Sequence, residues 1–176
     1  MSGHNKWSKI KHQKGASDAQ KSKIFSKLVR YISVEAKKAG GNPSSPGLKT
    51  AVDKAKAANM PNDTIERAIK KATTDNSAAM ENITYEAYGP GGSAIVIEAL
   101  SDNRNKAAQE IKHIFAKHGF ELAAIGAATW AFKKEGKDWI PQTTVEVSEE
   151  DGTKLQEIVD ELEENDEVQD VFTNAE

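Results

Sequence analysis

A chain of 176 residues has room for one medium domain or two small ones, with enough material for a sizeable core. It contains no cysteine, which excludes a disulfide framework, a thiolate metal site and a cysteine nucleophile. Its formal net charge of −3 hides a strong asymmetry, because residues 1–76 hold 16 Lys/Arg against 6 Asp/Glu while residues 77–176 hold 8 against 21; a basic front half points to a polyanionic partner.

The chain opens on a basic arm with no acidic residue before Asp18. Lys6, Lys9, Lys11 and Lys14 stand two to three residues apart, with Trp7, His4 and His12 among them. The arm lacks the hydrophobic region of a signal peptide, and no stretch is long and apolar enough to span a membrane, so a soluble, cytoplasmic protein with no membrane partner is expected. Ser17-Asp18-Ala19-Gln20 fits a capping box that opens a helix. Ile24, Phe25, Leu28, Val29 and Ile32 recur at helical period and predict one apolar face. Lys23, Lys27 and Arg30 fall on another face one turn apart, an array suited to phosphates, whose neutralisation releases condensed counterions. A solvated lysine-rich helix would carry the same residues.

Gly40-Gly41-Asn42-Pro43-Ser44-Ser45-Pro46-Gly47 reads as a breaker-rich loop. Leu48, Val52 and Ala55 mark a second helix ending near Asn59. Pro61 suits the first turn of a third helix, and Asp63-x-x-Glu66 resembles another capping box. Ile65, Ala68, Ile69 and Ala72 are expected inward there, leaving Arg67, Lys70 and Lys71 to solvent or ligand. Residues 1–76 are thus a basic arm and helical domain, and the polar stretch 73–82 reads as a linker to a second domain, 83–176.

That domain is read as an α+β sandwich. Ser93–Leu100, rich in β-branched residues, predicts a strand. Asn103 is expected to cap a helix that runs through Lys117, with Ala107, Ile111, Ile114 and Phe115 inward and Gly119 as its stop. Ala128–Phe132 and Thr143–Val147 read as further strands. Ser148-x-x-Asp151 opens a helix with Leu155, Ile158, Val159 and Leu162 inward, and Val168–Thr173 closes the domain as a strand. The order is β-α-β-β-α-β, a split βαβ, ferredoxin-like arrangement.

No catalytic chemistry follows. Glu81 and Glu86, near the Gly-rich turn, form no recognisable motif. His113 and His118, at i, i+5, have poor ligand spacing, so neither a metal nor another cofactor is expected. No serine lies in G-x-S-x-G or S-x-x-K. Tyr88-Gly89-Pro90-Gly91-Gly92 lacks the ending of a Walker A loop and precedes a strand, as a tight turn does. Asp102-Asn103-Arg104-Asn105 joins a strand to a helix; a cap accounts for Asp102 or Asn103, and leaves Arg104 and Asn105 as either partner contacts or solvated first-turn residues.

Taken together, GHNKWSKIKHQKG, DAQKSKIFSKL, AKAANMPNDTIERAIKKA, YEAYGPGGSAIVIEALSDNRNKAAQEIKHIFAKHG and IPQTTVEV resemble the YebC family, which includes the mitochondrial translational activator of cytochrome c oxidase. The resemblance covers nearly the whole chain in order. It implies a helical N-terminal domain, α+β domains, no catalysis and a role in gene expression, either in transcription through DNA or in translation through ribosomal RNA and the ribosome. By that resemblance Lys6, Trp7, Lys9, Lys11, His12 and Lys14 match the family's basic N-terminal motif, and Tyr88 to Gly92 its Gly-Pro-Gly-Gly loop. Gln13 stands where many members have a basic residue. Members usually carry a further α+β domain between the equivalents of Phe132 and Pro141, where this chain has only KKEGKDWI. A third possibility is a protein-interaction module whose acidic sandwich docks a basic partner.

Overall fold

The computed structural model describes residues 18–76 and 79–176. The chain divides into two compact units, one ending at Glu81 and the other beginning at Asn82. The first is built from α1 (Asp18–Lys38), α2 (Pro46–Ala57) and α3 (Asn62–Thr74). Its core is Tyr31, Ile32, Val34 and Ala36 of α1 against Leu48, Ala51 and Ala55 of α2 and Ile65, Ala68 and Ala72 of α3. Burial on α1 begins only at Tyr31; Ile24 is exposed, and Phe25, Leu28 and Val29 are half-buried, so the apolar face is more open than its period suggests. At 1.5 Å per residue α1 is roughly 30 Å long and its partners roughly 20 Å, too short to cover all of it.

The helix starts depart in detail from the sequence reading. Ser17 lies outside the described residues. Pro46 and Gly47 belong to the first turn of α2 rather than to the loop, Pro46 in the position where a missing N–H costs nothing. Gly47 is needed because the buried Glu35 carboxylate lies against that turn, where a Cβ would overlap its Oε2; a carboxylate there also complements the helix dipole. α3 has Pro61 at its cap and no side-chain cap bond, so the expected Asp63–Glu66 box is absent. Asp63 lies one residue too deep to cap and instead accepts a bond from Arg67 Nη2 at 3.3 Å.

α3 continues to Thr74 and the next strand starts at Glu81, so the segment between elements is 75–80, shorter than the 73–82 read from composition. Residues 75, 76 and 79 are exposed. Limited proteolysis is expected to cut first within 75–80, yielding fragments close to 1–76 and 83–176; first cuts within the helix following Asn103 would show a different division.

The second unit contains β1 (Glu81–Tyr88), β2 (Ala94–Ser101), α4 (Arg104–Lys117), β3 (Leu122–Ala123), β4 (Phe132–Glu135), β5 (Asp138–Pro141), α5 (Glu149–Glu164) and β6 (Val168–Thr173). It is the α+β unit expected. Four strands form one sheet in the order β3-β1-β2-β6, and β4 and β5 form a second. β2 pairs antiparallel with β6, Ile95 opposite Thr173 and Ile97 opposite Val171, with an irregularity between Glu98 and Ala99. Alternate residues of β2 serve two cores, which is why its sequence is apolar almost throughout. Ile95, Ile97 and Ala99 pack with Ile111, Ile114 and Phe115 of α4 and Leu155, Ile158 and Leu162 of α5. Ala94 and Val96 pack with Ala128, Ala131 and Phe132, flanked by Trp139 and Phe172.

Three strands differ from expectation. β1 occupies a stretch read as linker and turn approach. Ala128–Phe132 is mostly a 3-10 turn (Thr129–Ala131), and the strand begins only at Phe132. Thr143–Val147 is no strand but a single parallel bridge, Val145 to Ala175. The expected helices, Asn103-capped and Ser148-capped, are both present: Asn103 Oδ1 accepts from the Lys106 N–H at 3.0 Å, and Ser148 Oγ from the Asp151 N–H at 3.1 Å. KKEGKDWI folds as the β4–β5 hairpin, with Glu135 opposite Asp138. Gly136, at φ 62, supplies the positive φ its two-residue turn needs.

Candidate nucleic-acid interface

Lys6, Trp7, Lys9, Lys11, His12 and Lys14 lie outside the described residues. Lys23, Lys27 and Arg30 are half-buried on α1; their i, i+4 and i, i+3 spacing gives them a common side of the helix. Lys37, Lys38, Lys49, Lys56, Lys70, Lys71 and Arg67 are exposed elsewhere on the same unit. The other sequence-derived candidates stand in the α+β unit, so the expected sites fall into two groups.

Tyr88 to Gly92 is a tight turn between β1 and β2. The Gly89 N–H donates to the Ser93 carbonyl at 2.8 Å, and Ser93 Oγ to the Pro90 carbonyl at 2.8 Å. Gly91 and Gly92 have φ of 69 and 74, and a Cβ on Gly91 would stand 2.7 Å from Val147 Cγ1. The glycines therefore answer to backbone conformation and to the 145–147 segment packed on the turn. Gly89 and Pro90 are buried, while Tyr88, Gly91 and Gly92 are exposed. Arg104 and Asn105 are exposed on the first turn of α4, where Tyr85 Oη donates to the Arg104 carbonyl at 3.4 Å.

Sequence reasoning missed the most constrained loop of this unit. Glu86 is 4% exposed and accepts three backbone N–H bonds: from Gly126 at 2.6 Å, Ala128 at 2.9 Å and Thr129 at 2.7 Å. Burial alone would raise its pKa, but these bonds, with one from the Thr129 side chain, together hold it below the usual carboxylate value. Tyr88, on the same strand, donates its hydroxyl to the Ala127 carbonyl and accepts from Trp130 Nε1, the latter at 2.8 Å. Glu86 and Tyr88 thus fasten the segment 126–130 at five points. What that segment displays is apolar: Ile125 is 97% exposed and Trp130 62%. The available signal was the pair Glu86 and Tyr88 at strand period, facing a small-residue stretch that a regular strand does not explain.

Other polar groups are structural. His118 Nε2 lies 2.8 Å from Glu161 Oε2, and Lys117 pairs with the same carboxylate, joining α4 to α5. Among the described residues no group of three or more His, Cys, Asp or Glu is arranged to hold a metal ion, and no helix is long and apolar enough to cross a membrane.

Comparison with known proteins gives a consistent picture. Residues 5–75 match the family model described as the TACO1/YebC protein N-terminal domain, and residues 80–137 and 137–175 match that for the TACO1/YebC second and third domain. The two latter segments meet at Lys137, in the turn of the β4–β5 hairpin. A probable transcriptional regulatory protein of Petrotoga mobilis is 51% identical over 148 residues, which are 83% of this chain and 59% of that protein. One from Thermoanaerobacter pseudethanolicus is 38% identical over 239 aligned positions, covering 100% of this chain and 97% of the relative. The crystal structure of a conserved hypothetical protein from Aquifex aeolicus superposes with a TM-score of 0.85 at 33% identity, covering 98% of this chain and 97% of that one.

Proposed function

Because this chain belongs to the TACO1/YebC family, we propose that it is a nucleic-acid-binding regulator of gene expression that works without a catalytic centre. The observation that carries this reading is the segregation of charge. The 16 Lys/Arg against 6 Asp/Glu of residues 1–76 end where the helical unit ends, and the 8 against 21 of residues 77–176 belong almost wholly to the α+β unit. A basic unit tethered to an acidic one directs polyanion binding to the front and keeps the rear from competing for it. Lys6, Lys9, Lys11 and Lys14 with Lys23, Lys27 and Arg30 are the phosphate contacts in this proposal. The relatives' names point to transcription, hence to duplex DNA. Ribosomal RNA and a role in translation are the alternative, favoured by the exposed Trp130, because unpaired bases are what folded RNA offers and a duplex withholds.

With on the order of five phosphates engaged, the logarithm of affinity for duplex DNA is expected to fall with log salt at a slope of about −4 to −5. Replacing Lys6, Lys9, Lys11 and Lys14 by alanine should flatten that slope. A slope near zero for the unmodified chain, or unchanged binding after the replacement, would refute the proposal and favour a protein-interaction module.

A further inference from the structure

Trp130 is exposed in an unusual way. An indole on a surface usually either lies down on neighbouring apolar atoms or is mobile; this one keeps 62% of its surface open while its N–H is bonded to Tyr88. The backbone beneath it is bonded to Glu86 through Ala128 and Thr129. Its donor is therefore already satisfied, and what it offers a partner is the flat π face. Ile125, from the same loop, is 97% exposed. No rotamer or loop entropy remains to be lost at this point when a planar group settles on the ring.

The charges around it indicate which planar group. Of the eight Lys/Arg in residues 82–176, three, Lys133, Lys134 and Lys137, fall within five residues of one another directly after Trp130. Lys133 and Lys134 are exposed on β4; Lys133 lies 3.2 Å from Glu135, and Lys134 Nζ 4.9 Å from the Trp139 ring centroid. This is a local concentration of cations in a unit that is otherwise acidic. An aromatic face flanked by lysines is the composition that binds single strands: the ring stacks on a base, whichever base it is, and the cations follow the backbone. An apolar protein partner would use Ile125 and Trp130 but would gain nothing from three lysines at the rim.

We infer that Trp130, with Ile125 beside it and Lys133, Lys134 and Lys137 following, is a second nucleic-acid contact, which holds an unpaired base by stacking. The inference rests on the nucleic-acid reading above and adds to it a site outside the basic arm and the class of strand recognised there. It also gives the Glu86 and Tyr88 bonds a purpose, since they fix the platform before the strand arrives.

The test compares three full-length proteins, unmodified, Trp130→Ala and Trp130→Phe, on oligouridylate, on the matching deoxy strand and on a blunt DNA duplex. Trp130→Ala is expected to weaken single-strand binding about tenfold to a hundredfold, with Trp130→Phe close to the unmodified protein and the duplex affected less than about twofold. A loss on both single strands places recognition on the base alone; a loss confined to the ribo strand adds the 2′-hydroxyl; both support the inference. Equal losses on single strand and duplex, or no loss anywhere, overturn it, and the latter would leave the surface to a protein partner. The variant with alanine at Lys6, Lys9, Lys11 and Lys14 keeps the two ideas apart. If that variant loses affinity while Trp130→Ala does not, the nucleic-acid reading stands and this inference falls; if the unmodified chain binds no strand at all, both fall. Should Trp130→Ala fail to fold, photo-crosslinking of 4-thiouridine oligomers to the unmodified protein decides instead. Crosslinks within 125–139 support the platform, and crosslinks confined to the first forty residues overturn it.

Discussion

Replacing Glu86 with alanine is expected to destabilise the α+β unit by about 2–4 kcal/mol, because three backbone N–H groups lose a charged acceptor at once. For a unit of this size that corresponds to a fall in melting temperature of roughly 10–25 °C. Glu86→Gln keeps one carbonyl oxygen but turns an NH2 group toward donors, so it should recover only part of the loss. Acid gives an independent check on the cause. The carboxyl is held below its ordinary pKa in the folded state, so its contribution is complete above the unfolded value, near 4.3, and disappears as pH falls through the folded one. The gap between unmodified protein and Glu86→Ala should therefore be constant at neutral pH and close on acidification. A gap that persists, or widens, below pH 3 would mean that the side chain acts through packing and not through its charge.

How much of this was legible in the sequence depended on whether the signal was local. Helices α4 and α5 were, down to their caps, because Asn103 and Ser148 precede apolar stripes of clear period and bond the N–H groups that caps bond. β2 was legible from its apolar, β-branched run, and its burial on both faces shows why the run is nearly continuous. β1 was not, since Glu86 and the tyrosines give it a polar look; the partners that justify Glu86 lie 40 or more residues away. Nor was the Trp130 loop, for the same reason: the residues that shape it are on another strand. Of the interface, the cations of α1 were readable from charge and spacing, whereas the exposed indole was not. Exposure is a property of the packed unit, and in sequence Trp130, between Thr129 and Ala131, looks like part of a strand.

The hairpin between β4 and β5 also joins sequence to family. The stretch KKEGKDWI replaces what relatives carry as a further domain, and it closes with a glycine turn rather than a frayed loop. Phe132 and Trp139, the strand residues flanking that turn, pack with Val96 of β2 and bond Glu98, respectively. The core is therefore complete without an insert, and the two segments of the family match meet at a point where chain can be added without opening it.

The segment 143–147 shows what the sequence could not reveal, and it yields the other large effect. Thr143–Val147 alternates as a strand should, yet it meets the sheet only through the chain end. Asn174, 1% exposed, makes the join: its Oδ1 accepts from the Ala94 N–H at 2.7 Å, and its Nδ2 donates to the Thr143 carbonyl at 2.9 Å. Its own carbonyl accepts from the Val145 N–H at 2.9 Å. Asn174→Leu is similar in size but leaves a buried donor and an acceptor without partners, and is expected to cost about 2–5 kcal/mol. Asn174→Asp separates hydrogen bonding from shape. One oxygen still accepts from Ala94, while the other faces the Thr143 carbonyl, so burial and that carbonyl should raise the aspartate's pKa in the folded state. An acid whose folded pKa is raised loses stability as pH climbs above the unfolded value, near 3.9. Thermal unfolding of Asn174→Asp should thus match the leucine variant or fall below it at pH 7 and recover toward the unmodified protein near pH 4. A pH-independent deficit would place the cost in packing, and no deficit in either variant would show that the tail and the 143–145 segment are held by their backbone bonds alone.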